Sequence, residues 1–200
     1  MAILFFKEEV TMSISQILHN KFMSVFETFT GAFKTMDNDH AYIHQKLMFS
    51  AYSKISVLTG GNYAFAFKTP SIGYVHYRLA GINPSADKVE TFIYEDAVFI
   101  PETGTLLVST NRNRNDPIVS TVELRSAPTF TDNGTLLPGL SSYLPGSAGV
   151  GQTRVGTSGQ SASEIVLKQN TTYRFYLTNG SSTTNDIGIN FMWYEEEGGE

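Results

Sequence analysis

Cysteine is absent from the 200 residues, which removes disulfides, zinc–thiolate sites and thiol nucleophiles together and is compatible with folding in a reducing cytoplasm. Charge is sparse as well. Charged residues make up 16% of the chain, against roughly 25% in an average soluble domain. The formal net charge is -5, and the 14 basic residues are scattered apart from Arg112 and Arg114. No general attraction to phosphate follows from such a distribution, so nucleic acid is not an expected partner. Apolar runs stay well short of the roughly 18 residues that a spanning helix needs, so no membrane role is expected. The opening MAILFF is followed by KEEV without a basic flank or a small-residue cleavage site, and no signal peptide is expected there.

What the chain does have is apolar content of 41%, enough to bury one substantial core. From Ser13 to Thr30 the residues Ile14, Ile17, Leu18, Phe22, Val25, Phe26 and Phe29 recur at helical spacing. Ser13 with Gln16 makes a capping box, Met12 and Ile17 a hydrophobic staple, and Gly31 a stop. The stripe of phenylalanines requires a cover, either the chain's own sheet or a neighbouring subunit.

After Asp37 the period falls from 3.6 to 2. Leu47, Phe49, Ala51, Ile55 and Val57 share one face of a strand, and Tyr63, Phe65 and Phe67 resume the alternation after Gly60-Gly61-Asn62, which reads as a hairpin. Further strands are expected at Gly73 to Leu79, Lys88 to Tyr94, Thr105 to Ser109, Ile118 to Arg125, Ser163 to Leu167, Thr172 to Thr178 and Ile187 to Tyr194. The last two flank NGSSTTND and read as a second hairpin. Ile187, Ile189, Phe191 and Trp193 form its inward face, which assigns Trp193 to the core rather than to a sugar-stacking platform.

The expected fold is therefore mainly β, an antiparallel β-sandwich or jelly roll preceded by one N-terminal amphipathic helix. Residues 1–36 would form the arm, and 37–200 the β domain with a long Gly/Ser/Thr-rich loop at about 130–163. Glu195 to Glu200 reads as a solvated acidic tail.

Motifs for chemistry are fragmentary. His40 and His44 stand four apart beside Asp37 and Asp39, but Asp37-Asn38-Asp39 reads as a helix breaker, and no HExxH or calcium-loop pattern is present. Gly146 to Gly151 lacks the Lys-Ser or Lys-Thr of a phosphate loop, and Ser158 has no nucleophile elbow. Glu90, Glu95, Asp96 and Glu123 are formal acid/base candidates, with solvent-facing strand positions the plainer reading. No catalytic residue, metal site or cofactor is assigned, and the chain is expected not to be an enzyme. In NRNRND, Arg112 and Arg114 project to one side of an extended segment with Asn111, Asn113 and Asn115 on the other. The arginines either reach carboxylates of a partner or mark a solvated turn before Pro117.

From about His40 to Glu195 the order of motifs resembles a family of small virion-associated proteins encoded in tailed phages and prophages near the major capsid gene. The motifs are HAYIHQKLMFSA, the YED of Tyr94 to Asp96, NRNRND, TLLPG, LPGSAGVGQTR, LKQNTTYRFYLTN and FMWYEE. The resemblance implies a head decoration or cement protein, located on the capsid surface of a virion assembled in the bacterial cytoplasm. It implies the major capsid protein as partner and association with copies of itself as a dimer or trimer. It carries no active-site residues, and it favours the partner-binding reading of the arginines. The candidate contacts are the helix face Ile17, Phe22, Phe26 and Phe29, with Arg112, Arg114 and Arg154 as polar orienting groups. A fibre, tail or head-appendage binding module, with carbohydrate as one ligand class, is the second reading.

Overall fold

The computed structural model describes residues 38–78, 81–86, 88–144 and 164–196. The expected helix from Ser13 to Thr30, with Ile17, Phe22, Phe26 and Phe29, lies outside the described residues, as does Arg154. Chain contacts divide into Met1–Ala41 and Tyr42–Glu200, and every described strand belongs to the second unit.

The described chain is mainly β with antiparallel pairing. A short helix, α1 (Asn38–His44), comes first, so Asn38 and Asp39 do not break a helix there. Asn and Asp are favoured where a helix begins, because their side chains can accept its free N–H groups. The strands follow as β1 (Met48–Val57), β2 (Asn62–Lys68), β3 (Tyr74–Arg78), β4 (Ile82–Pro84), β5 (Val89–Glu95), β6 (Val98–Phe99), β7 (Thr105–Leu106) and β8 (Thr110–Asn111). Then come β9 (Glu123–Ser126), β10 (Phe130–Asp132), β11 (Thr135–Leu136), β12 (Ser142–Leu144), β13 (Glu164–Leu167), β14 (Thr172–Asn179) and β15 (Asn185–Glu196). One sheet has the order β13–β3–β15–β1–β8, with β4 also on β15. The other runs β11–β5–β14–β2–β9–β7, with β12 also on β5. A separate ribbon pairs β6 with β10.

Strict alternation explains the core. Phe49, Ala51, Ile55 and Val57 of β1 are buried, as are Ile187, Ile189, Phe191 and Trp193 of β15. Phe65 and Phe67 answer them from β2, and Tyr173, Phe175 and Leu177 from β14. The two sheets meet face to face through rings: Phe65 lies 5.1 Å from Phe191, Phe67 5.4 Å from Trp193 and Phe175 4.9 Å from Tyr77. The first two are edge-on contacts, which suit the charge distribution of aromatic rings. On the outer side of the second sheet, the Arg174 guanidinium lies 4.3 Å from the centre of Tyr176 and 5.1 Å from that of Phe130. A cation over two rings in this way holds the β6/β10 ribbon against the sheet.

Both expected hairpins prove to be connections between sheets. β1 pairs with β15 in one sheet while β2 pairs with β14 in the other. Gly60-Gly61 and the NGSSTTND loop are therefore arches across the core, not turns within a sheet. The reason lies in one side chain. Asn179, 2% exposed, sends its amide N–H groups to the carbonyls of Val57 (2.9 Å), Leu58 (3.1 Å) and Thr183 (2.9 Å). Its carbonyl accepts from the Ser181 N–H at 2.9 Å. Its backbone completes the join, with Asn179 N donating to Gly61 O at 2.9 Å and Gly60 N to Asn179 O at 3.1 Å. One amide thus satisfies both arches.

The segment about 130–163, expected to lack regular elements, carries β10, β11, the Pro138–Leu140 turn of 3-10 helix and β12 in its described part. Gly134 makes this possible: its φ of 76° is left-handed, and a Cβ there would strike the backbone of Glu95, Asp96 and Ala97. Two expected strands are shorter than the sequence suggests. Ile118 to Arg125 contributes only Glu123–Ser126, and Thr105 to Ser109 only Thr105–Leu106, because the chain between crosses from one sheet to the other.

Candidate interaction surface

The crossing segment from β8 to β9 carries Arg112 and Arg114, the two candidate arginines that lie among the described residues. Asn111 is buried, and its amide donates to the Lys46 carbonyl at 2.6 Å. Asn111 Oδ1 accepts the N–H of Asn113 at 2.8 Å, and Asn113 Oδ1 accepts that of Asn115 at 3.2 Å. Asparagine side chains that hydrogen-bond the backbone two residues on produce successive tight turns. Asn113 also reaches His44 O at 3.4 Å, Arg112 N donates to Met48 O at 2.9 Å, and Lys46 pairs with Asp116. Asn111 and Asn113 therefore face the domain, whereas Asn115 is exposed like the two arginines, and the segment is turned rather than extended.

Arg112 and Arg114 are both exposed. Arg112 rests its guanidinium against the sulfurs of Met48 (3.6 Å) and Met192 (3.5 Å). Among the described residues neither arginine forms an ion pair. Ile118 and Val119 follow at 46% and 88% exposure, and Ile118 lines a groove with Leu47, Phe49, Pro70, Ile72 and Tyr74.

The far end of the segment is held by Glu195. Ser120 Oγ donates to one carboxylate oxygen at 2.5 Å, and Thr121 donates to the other from its N–H at 3.0 Å and its hydroxyl at 2.5 Å. The buried Trp193 Nε1 donates to the first oxygen at 2.9 Å. Glu195 and Glu196 thus belong to β15 and correct the reading of a solvated tail for these two residues. A signal was present: Glu195 continues the inward phase of Ile187, Ile189, Phe191 and Trp193 by one step. Trp193 itself is fully buried, in keeping with its assignment to the core.

Two polar clusters stiffen the sheets nearby. Tyr194 stacks between Tyr42 (3.9 Å) and His76 (4.3 Å), and its hydroxyl donates to Glu164 at 2.5 Å. His76 Nδ1 lies 2.9 Å from Glu164, and Tyr42 donates to Glu196 at 3.0 Å. Across the domain, Lys168 and the Tyr173 hydroxyl donate to Glu95 at 2.5 and 2.9 Å. The Lys168 bond, aided by Tyr173, holds Glu95 below its ordinary range. Burial opposes ionisation of Glu164, but its bonds from Tyr194 and His76 prevail and lower it. Burial, reinforced by the neighbouring carboxylates, raises both Tyr173 and Tyr194.

These shifts fix a stability profile. A carboxylate lowered in the folded state stabilises above its unfolded pKa of 4.5 and loses that contribution as pH falls through the folded value. A tyrosine raised above 10.0 stabilises below that pH and ceases to do so as pH rises beyond it. Urea midpoints between these limits should be flat, falling below pH 4.5 and again above pH 10. Glu95→Gln should flatten part of the acid limb only. An unchanged acid limb in that variant would refute the assignment to Glu95.

None of the formal acid/base candidates forms a free pair. Glu95 and Asp96 lie 2.5 and 4.0 Å from Lys168, Glu123 lies 2.5 Å from Arg125 and Glu90 lies 3.7 Å from Lys88. Among the described residues no group of three metal-capable side chains converges. Gly146 to Gly151 and Ser158 lie outside the described residues. The chain matches no family model, no curated protein and no solved structure.

Proposed function

We propose that this chain is a virion structural protein of a tailed bacteriophage, a decoration or cement component that binds the major capsid shell and copies of itself. On this reading it is a β-sandwich of jelly-roll type, located on the capsid surface. The strand orders β1–β15–β3–β13 and β2–β14–β5–β11 support that assignment. They interleave the chain between two sheets as two Greek keys do, an arrangement found in viral capsid proteins among others. Fold alone does not carry function.

The observation that carries the reading is the segment 111–121. It is tied down at one end by Asn111 and at the other by Glu195, and between them it presents Arg112, Arg114, Ile118 and Val119 to solvent. A loop held in advance loses little entropy on docking. Arginine beside apolar side chains is a combination enriched at protein interfaces, and its planar fork suits carboxylates on a shell subunit.

Binding to purified shells that lack the protein tests this directly. The wild-type chain should saturate at a fixed number of copies per shell. Arg112→Glu with Arg114→Glu should weaken binding about tenfold, with a shallower salt dependence. Saturable binding unaffected by the double reversal would move the contact elsewhere, and no binding to shells at any maturation state would overturn the proposal.

A further inference from the structure

β1 is paired with β15 along its whole length, yet on its other side, among the described residues, only Met48, Phe49 and Ser50 have a backbone partner, at β8 and the residue after it. The direction of the free groups follows from two bonds. Glu195 N donates to Leu47 O, so the odd-numbered residues of β1 turn their backbone groups to β15; Arg112 N donates to Met48 O, so the even-numbered ones turn away. Tyr52, Lys54 and Ser56 therefore point N–H and C=O along an open edge. Such an edge is a template for another strand.

Its side chains identify the partner. Tyr52 and Leu58 are 60% and 71% exposed, large apolar groups at the two ends of the open stretch, while the Lys54 side chain is 64% exposed and 3.2 Å from Asp186. Only even-numbered residues can face even-numbered ones across this edge, which leaves few two-fold registers for a second copy. Centring on Ser53 would require Ser50, already opposite Thr110. Centring on Lys54 would set lysine against lysine, which is destabilising. Centring on Ile55 pairs the backbones of Lys54 and Ser56 and brings the Tyr52 side chain level with that of Leu58, which follows the last residue of β1 and has its carbonyl held by Asn179 and Gly61, so both exposed apolar side chains are covered twice. Asp186, opposite Ser56, then stands between the two lysines.

We infer that two copies of this chain associate by pairing β1 with β1 antiparallel about a two-fold axis at Ile55, joining their sheets into one. A two-fold contact of this type closes on itself rather than growing into a fibre. The inference deepens the self-association in the proposed function but needs no shell, so its failure leaves shell binding standing.

Sedimentation equilibrium of the full chain without shells tests it, alongside two variants. Lys54→Pro removes an N–H that points only to the open edge, and proline is tolerated on edge strands. It should raise the dimer dissociation constant at least about tenfold, with the circular dichroism spectrum retained. In Tyr52→Cys/Leu58→Cys the new cysteines are too far apart along one extended strand to bond to each other. Between copies, position 52 comes level with position 58 just past the end of the partner's β1, within disulfide reach. Since the native chain has no cysteine, oxidation should give one covalent dimer on a non-reducing gel. A wild-type chain that stays monomeric at high micromolar concentration, a folded Lys54→Pro variant that dimerises normally, or a double-cysteine variant that does not cross-link would each overturn the inference. Should Lys54→Pro fail to fold, the cross-link decides.

Discussion

Asn179→Ala should lower the unfolding free energy by about 3–5 kcal/mol, since each buried group left without its partner costs about 1–3 kcal/mol. The amide's two N–H groups are shared among three carbonyls, those of Val57, Leu58 and Thr183, and alanine removes that donor from all three, leaving Leu58 with the Gly61 N–H at 2.8 Å. For a chain of this size the midpoint of thermal unfolding should fall by about 10 °C. Asn179→Asp separates the contributions. It keeps an acceptor for the Ser181 N–H but turns a carboxylate toward three carbonyls, so it should be at least as damaging as alanine. A loss below about 1 kcal/mol for either variant, read by urea unfolding, would mean that water replaces the amide and that the arches are held by their backbone bonds alone.

The same residue explains why the sequence misled about connectivity. Period-2 alternation located the inward faces of β1, β2 and β15, because burial of Phe49, Phe65 and Phe191 is written directly in the spacing. It says nothing about which sheet a strand joins. Gly60-Gly61-Asn62 between two apolar alternations is equally compatible with a hairpin and with an arch. The deciding contact comes from Asn179, more than a hundred positions away from Val57 and Leu58. Three polar residues lie at strand ends in inward phase: Asn179 after Leu177, Asn185 before Ile187 and Glu195 after Trp193. Each is a fastening point, Asn185 through its Oδ1, which accepts the Ala86 N–H at 2.9 Å, and each continues an apolar period by one polar step. That step is the readable signal which loop-like composition around it obscures.

The interaction surface was legible in part. NRNRND suggests an arginine side and an asparagine side for an extended segment; Asn111 is buried and Arg112 and Arg114 are exposed, but Asn115 is exposed as well and the segment is turned. What spacing could not supply is the anchor at the other end. Ser120 and Thr121 fall inside the strand expected from Ile118 to Arg125, and nothing in their spacing marks them as the partners of a carboxylate from β15.

Glu195→Ala should therefore act on two properties at once. It removes the acceptor for Trp193 Nε1, Ser120 Oγ and both donors of Thr121. Hydrogen bonds to a charged group contribute about 1.5–3 kcal/mol each, partly recovered by water where the site is open, so a loss of about 3 kcal/mol is expected. Amide exchange at Thr121 should accelerate well beyond that of the β1/β15 ladder, reporting release of the segment ahead of global unfolding. Shell affinity should drop about tenfold although Arg112, Arg114, Ile118 and Val119 are unaltered, because a loosened segment must be ordered again on docking. Glu195→Gln keeps one carbonyl acceptor and should fall between alanine and wild type in both respects. The joint outcome is what discriminates. Faster exchange at Thr121 with unchanged shell affinity would show that the segment is fastened for stability alone, and the docking contact would then have to be sought on another face of the domain.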